Sequence, residues 1–139
     1  MGRGWHVLGM GVMILWSATM SAHALIGDTP EELFKRYGAG KPVGAQLLYK
    51  IDIYSASIYF DGKKSTMEIY SRLPLVDGTH EELTEADVQK LLAIQGGTQK
   101  WNAVRTKKGD KTWSRQDGKV LARFKPEDKA LVFVDATLK

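Results

Sequence analysis

The chain contains no cysteine, and of its three histidines two, His6 and His23, fall in the first two dozen residues. Without a thiol there is no disulfide staple, no thiolate nucleophile, no sulfur ligand for a metal and no cysteine to carry a lipid anchor. Beyond residue 24 the one histidine is His80, in "VDGTHEEL". A metal site needs several ligands converging, and a histidine-activated serine needs a base at its own position, so a single loop histidine supports neither. Serines 55, 57, 65, 71 and 114 lie in strand or turn patterns with no glycine-flanked nucleophile elbow. The acidic pairs Glu81-Glu82 and Glu127-Asp128 are adjacent, whereas acid–base catalysis uses carboxylates held apart across a cleft in unlike environments. "GAGKPVG" (38–44) has glycines and a lysine but neither the spacing nor the hydroxyl residue of a phosphate-binding loop. The sequence therefore predicts no catalytic residue, no metal site and no cofactor.

The amino terminus does carry a pattern. Arg3 precedes "VLGMGVMILWSATM" (Val7 to Met20), fourteen uncharged and mostly apolar residues, and Ala22-His23-Ala24 gives the small-x-small ending read by signal peptidase. A bilayer span needs roughly 18 or more apolar residues, so the segment reads as a cleaved leader over residues 1–24 and not as an anchor. The expected mature protein, 25–139, is a single domain, periplasmic or secreted, with no membrane anchor after cleavage. It has to be stabilised by an ordinary core.

Charge is uneven along this mature chain. Residues 25–97 hold 8 basic and 11 acidic side chains, and residues 98–139 hold 11 and 5. Such a bias steers an acidic partner toward the carboxy-terminal half.

Two helix signatures punctuate the chain. In "DTPEELFKRYGAG" Thr29 caps, Pro30 fills the first turn, Glu32 completes a capping box and Gly38 ends the helix, predicting residues 30–37 with Leu33, Phe34 and Tyr37 on one face. "LTEADVQKLLAIQGG" repeats the grammar with Thr84, Asp87 and Gly96-Gly97, about one turn longer, with Val88, Leu91, Leu92 and Ile94 as the apolar face. Alternating strand patterns follow each helix. Leu47, Tyr49 and Ile51, then Ala56, Ile58 and Phe60, then Met67 and Ile69 are the expected inward positions of the first unit, with Asp61-Gly62 turning one hairpin. In the second unit Val120, Ala122 and Phe124, then Leu131 and Phe133, fall in matching places, after a short extra strand at Trp101.

"YFDGKKSTMEIY" (59–70) and "RFKPEDKALVFV" (123–134) are thus near-echoes, with Phe60 and Phe124 expected to plug equivalent interior spots. The reading is an α+β fold: an antiparallel sheet from two α-β-β-β units, 28–72 and 81–136, with both helices packed on one side. Covering one sheet face is what makes such meanders stable. A capped short helix, "SIYFDGKKSTMEIYS", a second helix and "TWSRQDGKVLARFKPEDKALVFVDA" together resemble the tandem helix-plus-meander arrangement of β-lactamase inhibitor proteins and of SmpA/OmlA-type outer-membrane assembly proteins. The resemblance implies a secreted binding module without catalysis. The disulfide and lipid-anchor cysteines of those families are missing here, and no contact residue of either matches a position of this sequence, so none is transferred.

Two surfaces are candidate binding sites. One is basic: Arg105, Lys107, Lys108 and Lys111 with Arg115 and Arg123, near Trp101 and Trp113, of which Trp113 is expected in the core. Cations interleaved with aromatics grip anionic polymers, and export sets nucleic acid aside in favour of an anionic cell-envelope component. The other is a tyrosine set, Tyr54, Tyr59 and Tyr70, read as outward strand positions that offer a protein a face. The expected function is an exported, soluble, non-catalytic binding module for a protein or an anionic envelope component; the alternative is a small periplasmic hydrolase or lyase with an unrecognised site.

Overall fold

The computed structural model describes residues 25–104 and 109–138. The expected leader, 1–24, and Arg105, Lys107 and Lys108 lie outside those residues. Both helices form where their caps predict: α1 over Pro30–Tyr37 and α2 over Glu85–Gly96. Each opens with a closed capping box. The Glu32 amide donates to Thr29 Oγ1 at 3.2 Å and the Thr29 amide to Glu32 Oε1 at 2.9 Å. In α2, Asp87 and Thr84 exchange the equivalent bonds at 3.1 and 2.8 Å. Two otherwise unpartnered amides are satisfied at each end, and each cap is worth about 1 kcal/mol.

Eight strands make one antiparallel sheet: β1 (Lys41–Val43), β2 (Gln46–Ile51), β3 (Tyr54–Asp61), β4 (Lys64–Arg72), β5 (Trp101–Val104), β6 (Lys111–Arg115), β7 (Val120–Lys125) and β8 (Ala130–Asp135). Their order is β1-β2-β3-β4-β8-β7-β6-β5, so two four-stranded meanders meet through their last strands. The first unit has a short strand beyond the three the sequence predicts, β1, which answers β5 of the second unit. The break between β2 and β3 carries no glycine or proline; instead Asp52 takes φ +60° in a two-residue turn. Aspartate tolerates that region better than most side chains. "KPED" closes the β7–β8 hairpin through a single 3₁₀ turn, Pro126–Asp128.

The core lies between the sheet and the two helices. Leu33 of α1 and Val88, Leu91 and Leu92 of α2 belong to the same buried cluster as Ile51, Ala56, Ile58, Val120, Ala122, Leu131 and Phe133, which puts both helices on one face. Phe60 and Phe124 share the parity of these inward residues and pack against the cluster, but both are only half-buried, at its rim. Trp113 and Trp101 pack on it in the same way. Phe34, expected on the apolar face of α1, is 61% exposed; an eight-residue helix turns Leu33 fully inward and leaves its neighbour outside. Gln95 is buried in α2 because its amide binds groups inside, while Ile94 is half-exposed.

One expectation is reversed. Met67 and Ile69 do not point inward; Glu68 and Tyr70 do, at 0% and 3% exposure. The ladder explains it: Tyr59 pairs with Met67 but Phe60 pairs with Ser65, so Thr66 is an extra residue without a partner in β3. A bulge of one residue exchanges the two faces of the strand beyond it. The same shift, together with Tyr54 having the parity of Ala56 and Ile58, corrects the tyrosine set. Tyr54 and Tyr70 are core residues at 2% and 3% exposure, and Tyr59 alone lies on the outer face.

Gly96 ends α2 against the edge strand β5. A Cβ there would lie 2.8 Å from Trp101 Nε1, the atom that donates to the Leu92 carbonyl at 2.7 Å. Alanine is favoured over glycine within helices by up to about 1 kcal/mol, so in open space Gly96→Ala would stabilise. Here we expect a loss of about 1 to 3 kcal/mol in urea unfolding, because the half-buried indole has to shift and its hydrogen bond lengthens. A neutral or stabilising result would show that β5 is not anchored through this ring.

Candidate functional site

With the helices on one face, the other face of the sheet is uncovered among the described residues. Antiparallel sheets usually present polar side chains on such a face. Here its centre is aliphatic. Register places Tyr59, Met67, Val134 and Leu121 in one row across β3, β4, β8 and β7, and Ser57, Ile69, Val132, Arg123 and Thr112 in the next. All are half-buried except Arg123, which is exposed. The bulge at Thr66 delivers Met67 and Ile69 to this face, and β8 delivers Val132 and Val134 because "ALVFV" is apolar on both parities. The row crosses the β4–β8 joint, so both halves of the chain build it.

A hollow of about 350 Å³ lies over this centre, lined by Met67, Leu121, Val132, Val134 and Ala130, with Thr112, Arg123, Lys125 and Asp128 around it. Arg123 and Lys125 are two residues apart on β7 and project on the same side. Neither side chain has an ion pair or hydrogen bond among the described residues. A second hollow, about 530 Å³, adjoins at Asp128 and Ala130 and reaches Ile69, Ser71, His80 and Lys129. His80 is exposed, and its Nδ1 lies 3.0 Å from the Arg72 carbonyl. A carbonyl only accepts, so Nδ1 carries the proton there.

The basic residues do not gather. Arg123 is on the outer face, whereas Lys111 pairs with Phe124 in the ladder and so faces the helices, where it meets Glu85 of α2 at 3.2 Å. Arg115 is held by both oxygens of Asp117, at 3.0 and 2.9 Å, and donates to the Gln95 carbonyl at 3.2 Å, tying β6 to the end of α2. The residues that sequence reading missed are Met67, Leu121, Lys125, Val132 and Val134. The unbroken apolar run at 130–134 was the available clue, since a strand buried on one face alone alternates.

Two buried carboxylates are alternative candidates, since perturbed groups cluster at functional sites. Glu68, fully buried opposite Phe133 at the joint, accepts from Tyr70 Oη at 3.0 Å and Gln95 Nε2 at 3.1 Å through Oε1. Its Oε2 has no partner among the described residues. Burial pushes its carboxyl up to about 7, against the pull of those two donors, and the Asp28 carboxylate adds to the rise. Asp87 is the reverse case. Burial opposes ionisation, but the Thr84 amide and hydroxyl, the Tyr54 hydroxyl at 2.7 Å and Arg72 at 2.9 Å bring it down to about 2. Both groups are enclosed and reach no hollow described above, so they set stability. Among the described residues, no group of three or more His, Cys, Asp or Glu side chains could hold a metal ion.

Comparison with protein-family models, with curated proteins and with solved structures returns no match for this chain.

The two carboxylates bracket a pH optimum for stability. The raised Glu68 group contributes fully below its unfolded value of 4.5, and that contribution is lost as pH rises through 7; the loss is about 3 kcal/mol. The lowered Asp87 group contributes above 3.8 and loses its share as pH falls toward 2, a loss of about 2 kcal/mol. Unfolding free energy should therefore peak near pH 4 to 5. Glu68→Gln should flatten the alkaline limb and stabilise the protein at pH 8, whereas Asp87→Asn should destabilise at neutral pH and flatten the acid limb. Denaturant midpoints measured from pH 2 to 9 check both signs; an unchanged alkaline limb in Glu68→Gln would remove Glu68 as its cause.

Proposed function

We propose that this chain is a soluble, non-catalytic binding module, exported by its leader, that carries its ligand on the uncovered face of the sheet. The ligand is a protein or an anionic component of the cell envelope. The observation that carries the reading is the aliphatic row Met67, Val134, Leu121 laid across the joint of the two units, beside the unpaired cations Arg123 and Lys125. Apolar floor gives affinity, and rim charge gives orientation and on-rate. The resemblance to tandem helix-plus-meander binding proteins points the same way.

Cleavage after Ala24, on which export rests, would place the new amino terminus at Leu25. The Leu25 main-chain nitrogen lies 2.7 Å from Asp28 Oδ2, within the ion pair that Asp28 makes with Arg36 at 3.1 Å. Cleavage after Ala24 would turn that nitrogen into an ammonium facing a carboxylate, a stronger bond than an amide makes. The rival reading, a hydrolase or lyase, rests on His80 alone, whose hollow brings no second histidine.

Two measurements test the reading. Intact mass of the protein recovered from the periplasm or medium should correspond to a chain starting at Leu25. Binding of the purified protein to polyglutamate or to an anionic envelope polysaccharide should weaken steeply between about 50 and 500 mM salt, as screening shortens to a few ångströms. Arg123→Glu with Lys125→Glu should abolish it while leaving the fold intact by circular dichroism. Salt-independent binding, or binding indifferent to that double charge reversal, would discard this face. A turnover lost on His80→Ala with folding retained would favour the enzyme.

A further inference from the structure

The floor of the first hollow is aliphatic throughout, and its cations sit at one end, on β7. The lining of the hollow carries no aromatic ring, the stacking platform that binds bases along a nucleic-acid groove. It suits a straight hydrocarbon carrying one negative head. From the proposed binding role of this face, we infer that the hollow holds a free single-chain anionic amphiphile, its head between Arg123 and Lys125 and its chain over Val132, Val134 and Met67. The hollow, about 350 Å³, has the size of a small-molecule site. Thr112, paired with Arg123 in the ladder, adds a hydroxyl near the head. Asp128 is the one acid on the rim, so two cations face it and the charge balance still favours an anion. From β7 to Tyr59 on β3 the face spans three strand spacings, roughly 14 Å, room for an extended chain of about ten to twelve carbons.

The experiment is a calorimetric titration of the purified full mature chain with dodecanoate, kept below its micelle concentration, and with dodecyltrimethylammonium, which has the same tail and the opposite head. Methyl shifts of Met67, Leu121, Val132 and Val134 locate the site. We expect saturable one-to-one binding of dodecanoate with shifts at those methyls, about tenfold or more weaker binding of the cationic amphiphile and of octanoate, and about tenfold weakening in Arg123→Gln with Lys125→Gln. The head-group comparison needs no variant, so a folding defect in the double variant does not blunt the test. Equal binding of both heads, non-saturating uptake, shifts elsewhere, or binding only to anionic phosphatidylglycerol vesicles would each overturn the inference. If dodecanoate fails but charge reversal still abolishes capture of polyglutamate or polysaccharide, the ligand class is wrong and the binding face stands; if both fail, the face itself is discarded.

Discussion

Everything in this molecule depends on one strand pairing, β4 against β8, through Met67↔Val134, Glu68↔Phe133, Ile69↔Val132 and Tyr70↔Leu131. Each unit by itself is a four-stranded meander with one short helix, and its last strand would present an open ladder to solvent. Pairing the two last strands removes both of those edges at once and makes a sheet wide enough for two helices to cover. The core follows the joint. Phe133 sits with Tyr70 at a ring distance of 5.9 Å and with Trp101 at 5.9 Å, so one residue of the second unit meets the first unit on one side and its own edge strand on the other. The remaining edges are short. β1 is three residues long and includes Lys41 and Pro42, which discourage further pairing, while β5 is four residues long and lacks either device.

The bulge at Thr66 gives this joint its two unlike faces. Without it, Met67 and Ile69 would face the helices and Glu68 and Tyr70 would face water. With it, a carboxyl is carried into the core and two aliphatic side chains are carried out to the uncovered face. Both exchanges run against hydrophobic sorting: one buries a titratable group whose second oxygen has no partner among the described residues, and the other wets apolar surface. One local irregularity thus sets the chemical character of both sides of the sheet. On the outer face the exchanged residues Met67 and Ile69 meet Val134 and Val132, so the two halves contribute to one surface there.

Much of the architecture was legible before the structure. Capping boxes are written in adjacent residues, Thr29 with Glu32 and Thr84 with Asp87, so both helices follow from local chemistry. The duplication was readable because Ala56, Ile58 and Phe60 and Val120, Ala122 and Phe124 keep one parity within their strands. What failed was anything requiring phase to be carried across an irregularity. Alternation tells which residues share a face, but a bulge resets it, and nothing in "KKSTMEIY" marks Thr66 as the extra residue. Tyr70 and Met67 were misplaced together for that reason. The candidate face was hidden in a different way: Leu121, Val132 and Val134 look like ordinary strand residues until the helices are known to cover the opposite side.

Charge shows the same limit. The excess of basic residues in the carboxy-terminal part is real, yet the fold distributes it over two faces and engages part of it in ion pairs. Lys111 meets Glu85 and Arg115 is locked on Asp117. An ion pair between exposed groups contributes little to stability, but it does neutralise a cation that would otherwise attract a ligand. Arg123 and Lys125 escape because their neighbours across the ladder, Val132 and Ala130, are apolar and offer them no counter-charge. The aliphatic character of β8 therefore has two effects on the outer face: it supplies the floor of the hollow, and it leaves the cations beside it unsatisfied. Both effects follow from the ladder between β7 and β8, in which each outward cation of β7 stands opposite an apolar residue of β8.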